Sequence, residues 1–283
     1  MSKKIISVFC KIFFVYCNIH NRTLFIILSL LTSIIKFKKV YIFNTFTRLF
    51  HIGNFCYSFY GVKLFEPNFK DPTFRYCNGG AYGTFYSNYL IKLKKKFHYL
   101  DIGANIGIYS LIASKNPSCI RINSFEPNPE IYNNLRKNLS HLSYATSNNV
   151  AVSNKLGQID FYINPKSSGS SQIDNPEPNL KIQAINGEYL KKMIDKDQII
   201  NIKIDVEGHE SVVLEEIINS INLKKIYSIY LEIANDKKEL DTYKKKLKEF
   251  NLIYYKKTKK RCDCLFENKN KLYFYFFNIY FFS

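Results

Sequence analysis

The chain has 283 residues, of which 46% are hydrophobic, with 11 Gly and 8 Pro. This length and composition exclude a collagenous or disordered chain and are sufficient for a buried core. The seven Cys are scattered singly and give an odd count. We therefore exclude a disulfide-stapled secreted module and expect a reducing compartment.

The formal net charge of +18 is concentrated in the first third of the chain. Residues 1–98 contain 15 Lys and Arg but only two acidic residues, Glu66 and Asp71. Lys supplies most of the basic residues in a chain that is also rich in Ile and Asn, a composition typical of an AT-rich coding sequence. The charge by itself therefore does not indicate a polyanionic partner.

Residues 1–45 combine apolar, aromatic and basic side chains. The longest uncharged apolar run, 24–35, has 12 residues, whereas a bilayer span needs about 20. No small-residue cleavage site follows it, which argues against a secretory signal. Two interpretations remain: a helical or irregular appendage packed on the body, or peripheral contact of residues 1–45 with an anionic membrane surface. The expected location is cytoplasmic, with the membrane surface as the alternative.

From Phe97 onward, β-rich runs alternate with helical ones. This alternation predicts an α/β fold with a mostly parallel, doubly wound sheet. The last two β-rich runs, 252–257 and 272–282, have no helical pattern between them and predict an antiparallel closing hairpin. We place a basic, aromatic appendage and connecting region at 1–96 and the α/β domain at 97–283.

The loop after the first predicted strand of this domain has the composition of a ligand-binding turn. Gly103 and Gly107 let a ligand approach the backbone closely. Asp101 at the strand end repels a pyrophosphate, and the glycine spacing differs from the dinucleotide fingerprint. Glu126, at the end of the next strand, is placed to accept hydrogen bonds from ribose hydroxyls. A ribose with a cationic head and no phosphate describes S-adenosylmethionine; a structural glycine turn is the alternative.

A second polar group follows a later apolar strand. Asp205 and Glu207 stand two apart at its end, and Glu232 ends the next strand. Buried acids at strand ends are costly unless they are paired or coordinate a ligand, so this cluster indicates a function. Lys203 is expected to point to the opposite face or to pair with a neighbour.

These segments, in this order and spacing over about 97–235, resemble the FkbM family of methyltransferases. The segments that carry the resemblance are DIGANIG (101–107), FEPNP (125–129), NNVAVS (148–153), SSGSS (167–171) and, most specifically, KIDVEGHE (203–210). The resemblance implies a Rossmann-like class I methyltransferase fold. It also implies methyl transfer from S-adenosylmethionine to a hydroxyl oxygen, commonly on a glycan, glycolipid or secondary metabolite.

The resemblance also implies roles for individual residues. It assigns cofactor binding to Asp101, Gly103, Asn105, Gly107, Glu126 and Asn149, and the signature acids to Asp205, Glu207 and Glu210. One departure is AINGEYL (184–190), where Asn186 and Gly187 stand in place of an acidic element.

An acceptor hydroxyl is a weak nucleophile until it loses its proton, so the site needs a base or a metal. We predict His209, Asp205 and Glu207 as catalytic residues, with His209 as the candidate base. An exposed His209 that contacts only backbone is the alternative. A divalent cation held by Asp205, Glu207 and Glu232 is a second route, which no motif indicates. Cys262-Asp263-Cys264 has no second pair at zinc spacing and is interpreted as a surface pair.

Two other functions compete with O-methylation. The net charge favours a nucleic-acid methyltransferase, but base-methylating enzymes usually carry an NPPY-like element where this chain has DVEGHE. A non-catalytic, membrane-associated binding protein that retains the fold is the third hypothesis. Intact DIGANIG and FEP segments argue against it. We therefore expect a small-molecule or glycan acceptor rather than nucleic acid.

Overall fold

The computed structural model describes residues 54–270 except 174, 195–197 and 260, together with Tyr41, Asn44, Thr45, Thr47 and Arg48. Most of the predicted membrane-contacting segment 1–45 and the whole run 272–282 lie outside the described residues. Within the described part of the chain, no helix has the length and apolar character that a membrane crossing requires.

The described residues form two compact units, one from the described part of 1–92 together with 166–168, the other from the described parts of 93–165 and 169–270. The first unit contains an antiparallel pair of short strands, β1 (Phe55–Tyr57) and β2 (Lys63–Phe65), followed by helices α1 (Pro72–Gly79) and α2 (Phe85–Lys92). Asp71 begins α1 by accepting a hydrogen bond from the amide of Thr73. Its carboxylate also accepts a hydrogen bond from the hydroxyl of Ser168, which belongs to the same unit.

The second unit is built on a seven-stranded sheet with the order β12-β13-β11-β10-β3-β4-β5. All neighbouring strands from β5 to β11 are parallel, and β13 runs antiparallel to both β11 and β12. Its strands are β3 (Phe97–Ile102), β4 (Cys119–Phe125), β5 (Ala145–Asn148), β10 (Ile199–Ile204), β11 (Ile226–Ala234), β12 (Phe250–Lys257) and β13 (Arg261–Asn268). The order reverses at β3, so the predicted doubly wound sheet with one antiparallel closing strand is confirmed.

Helices alternate with these strands, as the sequence pattern predicts. They are α3 (Ile108–Ala113), α4 (Pro129–Leu139), α5 (Gly187–Lys192), α6 (Glu210–Ser220) and α7 (Lys237–Lys246). α4 begins where Asn128 accepts a hydrogen bond from the amide of Glu130, with Pro129 at its first position. The central strands are buried on both sides: β3 is buried along its whole length, and β10 is buried at every residue after its first.

A smaller four-stranded sheet, with the order β6-β9-β7-β8, lies between β5 and α5 in the sequence. Its strands are β6 (Ala151–Val152), β7 (Gly157–Tyr162), β8 (Gln172–Ile173) and β9 (Leu180–Ile185). It has its own apolar cluster of Ala151, Ile159, Phe161, Ile182 and Ala184. At its end, Asn186 caps α5, and a side chain at Gly187 would come within 2.4 Å of the Glu216 carbonyl. The departure from the acidic family element therefore permits close packing of α5 on α6.

Two sequence expectations about the end of the chain were wrong. The closing hairpin uses β12 and β13, so its second strand is Arg261–Asn268 and not the run 272–282. Cys262 and Cys264 are not a surface pair, because both thiols are buried in β13. The strand lies between β11 and β12, and that central position buries its Cys side chains.

Candidate functional site at the carboxyl ends of the central strands

The predicted cofactor loop leaves β3 at the edge where the strand order reverses. Gly103, Asn105 and Gly107 all adopt positive φ angles, of 73°, 50° and 82°. A side chain at Gly103 would lie 1.8 Å from the backbone oxygen of Asp205. Gly103 is therefore required both by its left-handed backbone and by the close approach of the loop that follows β10.

Asp101, the last polar residue of β3, is fully buried. Its Oδ2 accepts hydrogen bonds from the backbone amide and the hydroxyl of Ser110, at 3.1 and 2.6 Å. The Ser110 hydroxyl also lies 2.7 Å from that of Ser124. Asp101 Oδ1 has no hydrogen bond within the described chain and faces the ammonium group of Lys203 at 3.4 Å. Asp101 thus fixes the start of α3 with one oxygen and keeps the other available for a cation.

Glu126 follows β4 and is held by the backbone of its neighbours. Its carboxylate accepts hydrogen bonds from the amides of Asn105 and Asn128, each at 2.9 Å. Burial raises the pKa of Glu126 to about 7, against the lowering effect of these two hydrogen bonds. Asn149 donates to the carbonyl oxygens of Glu126 and Pro127. Asn149 therefore stabilises the backbone turn at Glu126 and Pro127.

The loop after β10 is closed by one of its own acids. The Glu210 carboxylate accepts hydrogen bonds from the amides of Val206 and Gly208, at 3.2 and 3.0 Å. Glu207 and Gly208 both have positive φ angles, of 54° and 101°. Glu210 therefore holds a tight turn at the start of α6, and its carboxylate points back into the turn instead of into solvent.

Of the two expectations for Lys203, pairing with a neighbour is confirmed, and a side chain on the opposite face is wrong. It does not point away from the site: its ammonium group donates to the Gly103 carbonyl at 2.8 Å and pairs with both Asp101 and Asp205. Residues two apart on a strand share a face, so the alternation of β10 already places Lys203 beside Asp205. Register places it directly opposite Asp101 on β3. Burial alone lowers the pKa of Lys203, but Asp205 and Asp101 together raise it above its usual value.

A row of acids continues across the neighbouring strands. Leu231 stands opposite Ile204, so Glu232 lies beside Asp205, and Glu232 stands directly opposite Asp263 on β13. The nearby charge of Asp205, followed by burial, raises the pKa of Glu232. Like charges at opposed positions are unfavourable, so such a row is not a stabilising feature. No three His, Cys, Asp or Glu side chains of the described chain are arranged to hold a metal ion.

Glu207 has a cation of its own. Its carboxylate forms an ion pair with the guanidinium of Arg261 at the start of β13, and both side chains are about a quarter exposed, 27% and 26%. Burial, followed by the nearby charge of Asp205, raises the pKa of Glu207 to about 7, against the lowering effect of Arg261. Arg261 was not predicted as a site residue, because the strand that carries it was not recognised in the sequence.

His209 lies just before the first residue of α6 and is buried, with 6% of its surface exposed. Its Nε2 lies 3.0 Å from the hydroxyl of Ser153, which follows β6. The alternative of an exposed first-turn histidine is therefore wrong. Ser153 was not recognised as its partner, because it lies 56 residues away in the chain.

The structure thus brings the predicted residues to the carboxyl ends of four neighbouring parallel strands. They are Asp101, Gly103, Asn105 and Gly107 at and after the end of β3, Glu126 after β4, Asn149 after β5, and Asp205, Glu207, His209 and Glu210 after β10. The loops after β3 and β10 meet where Gly103 contacts Asp205 and Lys203. A set of carboxylates beside small backbone turns suits a ligand that has hydroxyl groups and a cationic centre.

Comparison with known proteins agrees with this geometry. The sequence profile described as the methyltransferase FkbM domain matches residues 101–254, more than half of the chain. The hexuronic acid methyltransferase AglP of Haloferax volcanii is 26% identical over 141 residues, which are 50% of this chain and 58% of that protein.

Solved structures with a related fold are more distant. The M. capricolum protein TrmK in complex with S-adenosyl-homocysteine is 14% identical, with 66% of this chain and 68% of that chain covered and a TM-score of 0.38. A precorrin-6y C5,15-methyltransferase from Geobacter metallireducens is 17% identical, with 65% and 86% covered and a TM-score of 0.35. Likeness at this level does not extend to substrates.

Proposed function

We propose that this chain, which belongs to the FkbM methyltransferase family, transfers a methyl group from S-adenosylmethionine to a hydroxyl oxygen of a glycan. The family match carries the proposal, because it spans both the cofactor loop after β3 (101–107) and the acid loop after β10 (205–210). The AglP relative, named a hexuronic acid methyltransferase, supports a sugar as the acceptor class.

The residues at the end of β3 and β4 fit the cofactor. Glu126 has its carboxylate fixed by two amides and retains further lone pairs for the two ribose hydroxyls. Gly103, which has no side chain and a positive φ angle, leaves the backbone open to close approach. Bound there, S-adenosylmethionine supplies an activated methyl group, and its transfer breaks a C–S bond and forms a C–O bond.

The acceptor hydroxyl must lose its proton, and we propose that the Asp205 carboxylate is the base that accepts it. Its side chain is 24% exposed at the edge of the site, and Glu232 stands beside it on the next strand. His209 is less suited to this role, because it is buried and its Nε2 already contacts the Ser153 hydroxyl. We propose that His209 and Glu207 instead hold the shape of the acid loop, through Ser153 and Arg261.

Calorimetric titration of S-adenosylhomocysteine tests the cofactor assignment. Wild type is expected to bind one equivalent, and Glu126→Ala is expected to lose this binding because the ribose loses its acceptor. Glu130→Ala is the matched control, since Glu130 is an exposed acid four residues further along the chain. A folded wild type that binds neither S-adenosylhomocysteine nor S-adenosylmethionine would contradict the proposal and favour a non-catalytic binding protein.

Labelled methyl transfer tests the acceptor class. Methyl ethers are expected on uronic-acid or neutral oligosaccharides, and Asp205→Asn is expected to lower the transfer rate about 100-fold or more, the usual contribution of a positioned base. His209→Asn is expected to have a smaller effect. Methylation of tRNA in place of the sugars would contradict a glycan acceptor and support the nucleic-acid alternative that the net charge of +18 favours.

A further inference from the structure

One buried cation lies between the two loops of the site. The Lys203 side chain is 4% exposed, and its ammonium group lies 3.4 Å from Asp101 and 3.3 Å from Asp205. Its third contact is the hydrogen bond to the Gly103 carbonyl at 2.8 Å. One ammonium group therefore contacts the end of β3, the cofactor loop and the acid loop at once.

This arrangement follows from strand register and alternation. Lys203 is opposite Asp101 in the parallel pair of β10 and β3, and Asp205 is two residues further on the same face. Asp205 continues the ladder by donating its amide to the Ile102 carbonyl at 3.1 Å. Without Lys203, the buried Asp101 carboxylate and the partly exposed Asp205 carboxylate would therefore lie near each other without a cation between them.

We propose that the Lys203 ammonium is the fixed cation of this site, which joins the cofactor loop to the acid loop and takes the place that a divalent metal would occupy. A protonated amine and a divalent cation both neutralise neighbouring carboxylates, but the amine is attached to the chain and needs no loading. Asp101 and Asp205 are two oxygen donors of the kind that Mg²⁺ and Mn²⁺ prefer, and the ammonium group already lies between them.

The ring of Tyr109 also favours a positive charge at the position of the Lys203 ammonium group. Its ring centroid lies 5.9 Å from the Lys203 ammonium group and 6.1 Å from the ring of Tyr230. An aromatic face beside a desolvated ammonium group stabilises the positive charge without hydrogen bonding to it. The pocket around the ammonium group thus combines two carboxylates, one carbonyl and one aromatic ring, which suits a monovalent organic cation.

The test compares Lys203→Met and Lys203→Arg with wild type, and Lys181→Met is the matched control. Lys181 also pairs with an acid on a neighbouring strand, but in solvent. Two quantities are measured on the full chain after EDTA dialysis: the dissociation constant for S-adenosylhomocysteine, and the change in melting temperature on adding millimolar Mn²⁺.

Lys203→Met is expected to weaken S-adenosylhomocysteine binding on the order of 100-fold, because it leaves buried carboxylates without their cation. Mn²⁺ is expected to raise the melting temperature of Lys203→Met only. Lys203→Arg keeps the positive charge and is expected to remain insensitive to Mn²⁺, as are wild type and Lys181→Met. A purely structural role for Lys203 would lower the melting temperature without creating a response to Mn²⁺.

Two results would overturn the inference. One is stoichiometric binding of Mn²⁺ to cofactor-free wild type, which needs no variant and remains decisive if Lys203→Met fails to fold. The other is a folded Lys203→Met that binds S-adenosylhomocysteine as tightly as wild type. The inference rests on the proposed function for its ligand, but the Mn²⁺ measurements do not. Failure of wild type to bind S-adenosylhomocysteine would therefore contradict the proposed function. The Mn²⁺ measurements would still test whether Lys203 is the fixed cation.

Discussion

The two sheets of the methyltransferase unit each contain a Lys and an Asp that are direct partners on neighbouring strands. Lys203 and Asp101 pair across β10 and β3, and their side chains are 4% and 0% exposed. Lys181 and Asp160 pair across β9 and β7 at 3.0 Å, and their side chains are 67% and 61% exposed. The same residue types in the same cross-strand relation thus form a buried ion pair at the candidate site in one sheet and a surface contact in the other. Burial, and not residue identity, separates the two.

The largest difference is expected when the Lys of each pair is replaced by Met. Lys203→Met is expected to lower the free energy of unfolding by about 3–5 kcal/mol, because removal of one partner leaves a buried charge uncompensated. Lys181→Met is expected to cost about 0–1 kcal/mol, since water solvates Asp160 once Lys181 is gone. Urea denaturation of both variants measures the two costs. Equal costs would show that the Lys203 pair is solvated in solution, against the burial described above.

The glycines of the two sheets extend the comparison to the backbone. Gly103 and Gly157 both have positive φ angles, of 73° and 100°. A side chain at Gly103 would overlap the Asp205 carbonyl, whereas nothing lies within 4 Å of the corresponding position at Gly157. Gly103→Ala combines left-handed strain with overlap and is expected to cost about 3 kcal/mol, whereas Gly157→Ala carries only the strain, about 1 kcal/mol. Thermal or urea denaturation of the two variants decides whether the close approach is real.

These contrasts explain which features of the fold and the site could be predicted from the sequence. The parallel sheet, the glycine loop and the acids at strand ends were predicted, because each depends on a local pattern of alternation or turn residues. The sequence left open whether Lys203 points away from the site or pairs with a neighbour, because its partner Asp101 is about a hundred residues away and is found only through strand register. The one available signal in the sequence was strand alternation, which places Lys203 and Asp205 on the same face.

The strands of the two sheets also differ in how well the sequence pattern predicts them. The four-stranded sheet was not predicted, because β6 and β8 have only two residues each and β7 and β9 alternate polar with apolar residues instead of forming continuous apolar runs. The closing strand β13 was missed for the opposite reason. Its Cys, Asp and Glu residues look like a polar loop in the sequence, but insertion between β11 and β12 buries them.

A smaller effect is expected from pH on cofactor binding. The free protein holds Glu126 with a pKa of about 7, raised by burial, and only its carboxylate form can accept from both ribose hydroxyls. Affinity for S-adenosylhomocysteine is therefore expected to rise about tenfold as the pH increases from 6 to 8, since the deprotonated fraction rises through that window. Glu126→Gln is expected to bind weakly and without this pH dependence. Calorimetry across the range measures both, and a flat wild-type profile would mean that binding does not depend on the charge of Glu126.

A modest cost is expected at the pair whose burial is intermediate between the other two. Arg261 and Glu207 are each about a quarter exposed, so Arg261→Met is expected to cost about 1 kcal/mol at pH 8.5, between the costs at Lys203 and Lys181. The folded pKa of Glu207 is raised to about 7, chiefly by burial. As the pH falls through 7, Glu207 becomes neutral and the ion pair is lost in wild type as well. The cost of Arg261→Met should therefore vanish by about pH 5.5. Urea denaturation of both proteins at the two pH values measures it, and a cost that persists in acid would assign the role of Arg261 to packing of its side chain instead of its charge.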